Sequence, residues 1–402
     1  MNILFVTWDG PQTNYLESLF LPIFSKLENE GYHFSILQFS WATKEQVLQN
    51  TEQCKKFDIE YKHINVWRKP NIAIGSLLSA INGSLHIRKA IKDWDIDIVM
   101  SRSTLPSLAT LIAIKNNVNI RWVFDADGLP LDERVDFYNV NSTSLVHRFL
   151  RDIETQSVIR ASKVITRSKI ANQILQNRAG AGCPVEKFSV VSNGRNSELF
   201  KIYGREKSEI IRSELGVDIN APLLVYAGSL GPQYCIKQML LLFSFIKKEL
   251  PLAKFLVLSG DHSYFEQQTN TYEYLQEDII FKSLRSHEVA KYISACDLGL
   301  AIRQPSFSMQ AVAPIKLGEY LLCGLPVVAT KEIGDTDMIK ETVGFLLGNN
   351  NNNEIVEAAN WFVKSFNEVK FDKKLCNKIG RNNFSIESSV AQYKQTLDDL
   401  RR

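Results

Sequence analysis

Apolar positions along this chain fall into two kinds of stretch, short continuous runs and longer segments where they recur every three or four residues, and the two kinds alternate. Ile3-Leu4-Phe5-Val6 is a continuous run, Asp9-Gly10-Pro11 breaks it, Tyr15–Leu27 has helical spacing, and Phe34–Phe39 is a second run. This reads as strand, loop, helix, strand, and continuous apolar strands suit a parallel sheet covered on both faces. Further strands are expected at Ile96–Met100, Arg121–Phe124 and Lys163–Thr166, with helices between them at Leu77–Asp93, Leu108–Lys115 and Thr143–Arg160.

A second series follows Val190-Val191-Ser192-Asn193-Gly194. It predicts strands at Leu223–Tyr226, Lys254–Leu258, Asp278–Phe281, Leu298–Ile302 and Pro326–Ala329, and helices near Ile236–Leu250, Ser286–Ala295 and Ile315–Cys323. The fold class is therefore α/β, with two Rossmann-like domains in tandem. The Asn run at 349–353 is expected to be a surface loop before a helix over Glu354–Phe366. In doubly wound domains ligands bind at the carboxyl ends of the strands, so the loops there, and a cleft between the two domains, are where chemistry is expected.

Composition narrows the function classes. The 402 residues are 45% hydrophobic and 23% charged, enough for two substantial cores. The net charge of +3 is not concentrated enough to suggest a nucleic-acid partner. Six cysteines without paired spacing argue against a zinc site or a disulfide framework, and none of the six histidines falls in a nucleophile or metal pattern. No run approaches the length of a spanning helix, and the first ten residues lack a basic start, so a cytoplasmic protein is expected.

The most informative segment is Ala313-Pro314-Ile315-Lys316-Leu317-Gly318-Glu319-Tyr320-Leu321-Leu322-Cys323-Gly324-Leu325-Pro326-Val327-Val328-Ala329-Thr330: a helix opened by proline, a glycine stop, then a buried strand. It resembles the donor-site signature of the retaining GT-B glycosyltransferases of family 4. Phe124-Asp125-Ala126-Asp127-Gly128, Ser192-Asn193-Gly194, Tyr226-Ala227-Gly228-Ser229-Leu230, Ala295-Cys296-Asp297-Leu298-Gly299-Leu300 and Phe384-Ser385 extend the resemblance over nearly the whole chain.

The resemblance implies an acceptor domain over residues 1–195, a nucleotide-sugar domain over 196–384 and a C-terminal helix, 385–402, packing back on the first domain. It implies sugar transfer with retention, from a nucleotide sugar to a saccharide or lipid-linked acceptor, in surface glycan assembly, with no metal or other cofactor. The leaving phosphate would itself take the acceptor proton. A lipid-linked acceptor would place the protein at the inner face of a membrane, and Arg88, Lys89 and Lys92 beside Ile87, Ile91 and Trp94 are the residues that would rest on anionic lipid.

Individual roles follow from the same resemblance. Glu319 would accept hydrogen bonds from the ribose hydroxyls, and Gly228, Ser229, Pro314, Ile315 and Lys316 would line the donor site, the amides of Ile315 and Lys316 meeting the phosphate. Two departures stand out. A second Glu is expected eight positions before Glu319, where this chain has Ala311, and an Arg and a Lys are expected where it has Ser229 and Tyr234. Arg303 and Lys316 are the nearby cations able to replace them and assist catalysis, with solvated side chains as the plainer reading; Lys237 is a third candidate.

On the acceptor side the candidates are Gly10 and Gln12 after the first strand, Arg102 after the strand ending at Met100, and Asp127, with Asp125 at the reaction centre. Asp125-Ala126-Asp127 matches the metal-binding D-x-D pattern of the GT-A fold, but two tandem Rossmann patterns argue against a metal, and Asp-Gly is also a common turn. Loss of Glu and of two cations leaves a second class open, a non-catalytic binding or regulatory subunit. A nucleotide-sugar epimerase shares the fold but fits the signature poorly.

Overall fold

The computed structural model describes residues 1–11, 15–115, 119–334 and 336–401. The chain divides into two units, Met1–Ser192 with Ser389–Arg402, and Asn193–Ser388.

In the first unit, strands β1 (Asn2–Asp9), β2 (His33–Ser40), β3 (Glu60–Asn65), β4 (Ile98–Arg102), β5 (Arg121–Asp125), β6 (Lys163–Thr166) and β7 (Phe188–Val190) form a parallel sheet in the order β3-β2-β1-β4-β5-β6-β7. Leu4, Val6, Leu37, Phe39 and Val99 bury one face against Ile87 and Ala109 of the flanking helices. The order reverses between β1 and β4, which places the loop after β1 and the end of β4 at the switch point where such sheets take ligands.

The helix Ile72–Asp93 turns a row of small residues inward, among them Gly75, Ser79, Ala80, Gly83 and Ser84. A Cβ at Gly83 would lie 2.6 Å from the Phe39 ring, so the close approach requires glycine. Its large residues Ile74, Leu78, Ile81 and Leu85 are exposed instead. The expected lipid-facing side is wrong in part: Ile87 is fully buried, and Arg88 donates to the carbonyls of Ala113 (3.1 Å) and Ile112 (2.8 Å), closing the end of the helix Thr104–Ile114.

In the second unit, β8 (Leu223–Ala227), β9 (Lys254–Leu258), β10 (Ile279–Lys282), β11 (Leu298–Ala301), β12 (Val327–Thr330) and β13 (Gly344–Leu347) make a parallel sheet in the order β10-β9-β8-β11-β12-β13. Apolar clusters cover both of its faces. The strand pattern of a doubly wound fold thus appears twice, as the alternation of runs and periodic segments predicts. Arg195 and Ser385 form an isolated bridge that closes this unit. Beyond it, the last residues belong to the first unit, where Ser389 Oγ donates to the Ser192 carbonyl (2.7 Å) and Lys163 pairs with Asp399 (2.6 Å).

Candidate active site

The signature helix Ile315–Leu322 begins after Pro314 and ends at Gly324, whose φ of +80° closes the cap, with Leu325 N–H returning to the Tyr320 carbonyl (2.9 Å). Tyr320 packs its ring on Gly299 of β11, and its hydroxyl accepts from the Ala227 amide (2.9 Å). One side chain therefore fixes the helix against β11 and against the end of β8, where the glycine loop starts.

Gly228 has φ +128°, and a Cβ there would come within 2.8 Å of Lys316 Cε and Nζ. The backbone conformation is what favours glycine here, since the tip of the Lys316 side chain could move aside. Lys316 reaches across this loop to lie 4.1 Å from the centre of the Tyr234 ring, while the Arg303 guanidinium lies 4.9 Å from the same ring. Tyr234 and Arg303 are also bridged through their backbones. The structure brings together Arg303, Lys316, Gly228 and Ser229, and adds Tyr234, which sequence analysis treated only as a missing cation. Burial pushes the Tyr234 phenol up, but Lys316 and Arg303 outweigh it and bring it down to about 8. Burial also pulls the Lys316 ammonium below its ordinary value.

The Arg303 loop is held from behind. Its amide donates to Thr330 Oγ1 (2.9 Å), and its carbonyl accepts from Asn350 Nδ2 (2.7 Å). Asn350 is buried, unlike the surface residue expected from the Asn run, while its neighbour Asn351 caps the helix Asn352–Asn367. Ala311 is fully buried. The Ile315 amide is taken up by the Ala313 carbonyl (2.9 Å), which corrects its expected role as a phosphate donor. Lys237 is exposed on its helix and takes no part in this cluster.

Glu319 is buried and paired with Arg195 (2.8 Å). Arg195 lies over the Phe200 ring, and its Nε has no hydrogen-bond partner. Both line a cavity of about 240 Å³ with Ala227, Gly228, Ser259, Gly260 and Ser286, at the carboxyl ends of β8, β9 and β10. A carboxylate, a glycine loop and a helix start converge there, the ingredients for holding a sugar diol beside a phosphate. Arg195 was not among the sequence candidates, although it directly follows the Asn193-Gly194 pair.

The first-unit candidates fare differently. Asp125 is fully buried and held by both oxygens to Arg167 Nη2 (2.7 and 2.5 Å), so it has no access to a substrate; the expected catalytic role is replaced by a structural one. Arg102 is buried and paired with Asp127 (2.5 Å), and it stacks on Phe20. Arg167, Asp125, Arg102 and Asp127 form one alternating network, in which the two acceptor candidates Arg102 and Asp127 are paired with each other. Gln12 lies outside the described residues. Gly10 lines a separate cavity of about 350 Å³ with Trp8, Trp41, Arg68, Ser103 and Arg134, and Arg68 sits 4.5 Å above the Trp41 ring. Among the described residues no cluster of three His, Cys, Asp or Glu could hold a metal ion.

Comparison with known proteins bears on this geometry. Residues 207–384 match the family Glycosyl transferases group 1. The structure is similar over 99% of this chain and 100% of the other to Anabaena HepE in complex with UDP-glucose (TM-score 0.72, 18% identity). It is similar to a glycosyltransferase from Rickettsia africae (0.72, 18%, 99% of each chain) and to the lipopolysaccharide outer core galactosyltransferase WaaB (0.70, 16%, 100% of each). The fold is GT-B. Within it, the second unit carries a glycosyltransferase domain, and the matched segment contains the Gly228 loop, Arg303, Lys316 and Glu319. Comparison with curated proteins gives no significant match.

Proposed function

We propose that the chain transfers a sugar from a nucleotide donor, bound in the second unit, to an acceptor bound in the first, with retention of configuration. The observation that carries this reading is the convergence of Glu319, the Gly228 loop, Lys316 and Arg303 at the carboxyl ends of one parallel sheet. Glu319, oriented by Arg195, would take the ribose hydroxyls, and the two cations would face the diphosphate. UDP is the first donor nucleotide to test, because HepE is similar in fold and binds UDP-glucose. A positioned cation beside a phosphate that gains charge lowers the barrier without any protein base or metal.

The Trp8, Trp41, Arg68 and Arg134 cavity is the acceptor site in this reading. Indole faces suit sugar rings, and arginines suit an anionic group. A lipid-linked acceptor agrees with the helix Ile72–Asp93, whose exposed row Ile74, Leu78, Ile81 and Leu85 continues along the same face into Lys89 and Lys92. Surface glycan assembly at a membrane is the setting that fits both features. No described helix is long and apolar enough to cross a membrane. The reading is tested by transfer and hydrolysis assays with UDP-glucose and other nucleotide sugars; absence of turnover with a full donor panel, despite a folded protein, would favour a non-catalytic subunit.

A further inference from the structure

The glycine loop of this chain holds a tyrosine between two cations. We propose that the Tyr234 hydroxyl is itself a ligand of the donor's diphosphate, donating a hydrogen bond to the departing phosphate while Lys316 and Arg303 neutralise its charge. This rests on the glycosyltransferase reading and adds a residue to it.

Four observations carry the assignment. The ring lies against two cations, Lys316 at 4.1 Å and Arg303 at 4.9 Å, and its backbone is bridged to Arg303. Its hydroxyl is 3.5 Å from Ser229 Oγ, which places it at the exposed mouth of the Gly228 loop. The neighbouring phenol, Tyr226, is differently disposed: buried, it donates to the Ser229 carbonyl (2.5 Å) and so shapes the loop. The charged groups around Tyr234 are Lys316 and Arg303, with Asp261 further along the loop at the Leu230 amide (3.4 Å). An anion entering here would meet two cations and one phenolic donor, and it would displace Lys316 and Arg303 from the ring toward itself.

The chemistry requires the neutral phenol. During transfer the bond from the anomeric carbon to the diphosphate oxygen breaks and that oxygen keeps the electron pair. The acceptor oxygen bonds to the same carbon, and its proton passes to the freed diphosphate. Tyr234 keeps its own proton throughout and only donates a hydrogen bond, so its effect is largest where negative charge is greatest. A tyrosinate would instead bind both cations and repel the diphosphate. With the phenol at about 8, the resting site loses anion affinity above that pH.

The test is calorimetric UDP affinity between pH 6.5 and 9.5 for wild type and Tyr234→Phe, with tyrosinate absorbance followed in parallel. Phenylalanine keeps the ring and its packing, so the fold is preserved. In wild type, UDP affinity should fall towards roughly ten-fold per pH unit above about 8, and bound UDP should move the absorbance transition upward. Tyr234→Phe should lack that transition and the loss of UDP affinity that accompanies it, keeping only the pH dependence of the Lys316 ammonium, and should turn over UDP-glucose roughly ten-fold or more slowly at pH 7. If UDP binds but the variant keeps the wild-type pH dependence and turnover, the tyrosine assignment is overturned alone. If neither UDP nor pyrophosphate binds wild type at any pH, the glycosyltransferase reading falls and takes this one with it.

Discussion

Glu319 and Arg195 face each other at 2.8 Å, so a change at either alters the other's charge balance. Glu319→Ala should weaken UDP binding by about 1.5–3 kcal/mol, the scale of hydrogen bonds to a charged group, and unchanged affinity in calorimetry would remove the ribose assignment. Arg303→Ala should act on rate instead. Its loop is pinned through backbone bonds to Thr330 and Asn350, so the variant loses the guanidinium and keeps the geometry. A drop in kcat of roughly 10², with a smaller change in donor KM, is expected; a raised donor KM with kcat unchanged would mean that Arg303 only binds. Asp125→Asn breaks a buried ion pair and should destabilise the first unit by about 3–5 kcal/mol, seen in thermal unfolding. The sequence marked Glu319, Lys316 and Arg303 because their chemical types stand at signature positions. It could not mark Arg195 or Arg167 as partners, since contacts between residues far apart in the chain leave no trace in one sequence.

At the scale of elements, most strands were legible where they are buried on both faces. The three not foreseen, β3, β7 and β13, lie at sheet edges, and β3 reads Glu-Tyr-Lys-His-Ile-Asn, without the continuous apolar run of a central strand. The helix Ile72–Asp93 was recognised over most of its length, yet its orientation was misjudged. Periodicity arguments assume that large apolar residues point inward, whereas this helix packs by glycine, serine and alanine and leaves isoleucine and leucine outside. That inversion leads to an expected outcome: Leu78→Glu with Ile81→Glu should abolish flotation with anionic vesicles while the melting temperature stays within a degree or two. Flotation that survives the double change, or wild-type protein that never floats at low salt, would remove the lipid face.

For the whole molecule, the two units have separate cores, and the features assigned to nucleotide binding all belong to Asn193–Ser388. A ligand stabilises only the structure that binds it, by about 2.7 kcal/mol at a hundred times its dissociation constant. Spread over a unit of this size, that corresponds to a rise of roughly 5–10 °C in the melting temperature. Saturating UDP should therefore raise the calorimetric transition of the second unit and leave that of the first nearly in place, and Glu319→Ala should cancel most of the rise. EDTA should change neither the shift nor turnover, since in the proposed site Lys316, Arg303 and the glycine loop would meet the anion. Two outcomes would overturn this arrangement: a UDP-induced rise confined to the first unit, or one that appears only with manganese and disappears with EDTA. The first would move the nucleotide to the Trp8 and Trp41 cavity, and the second would mean that a cation outside the protein completes the phosphate site.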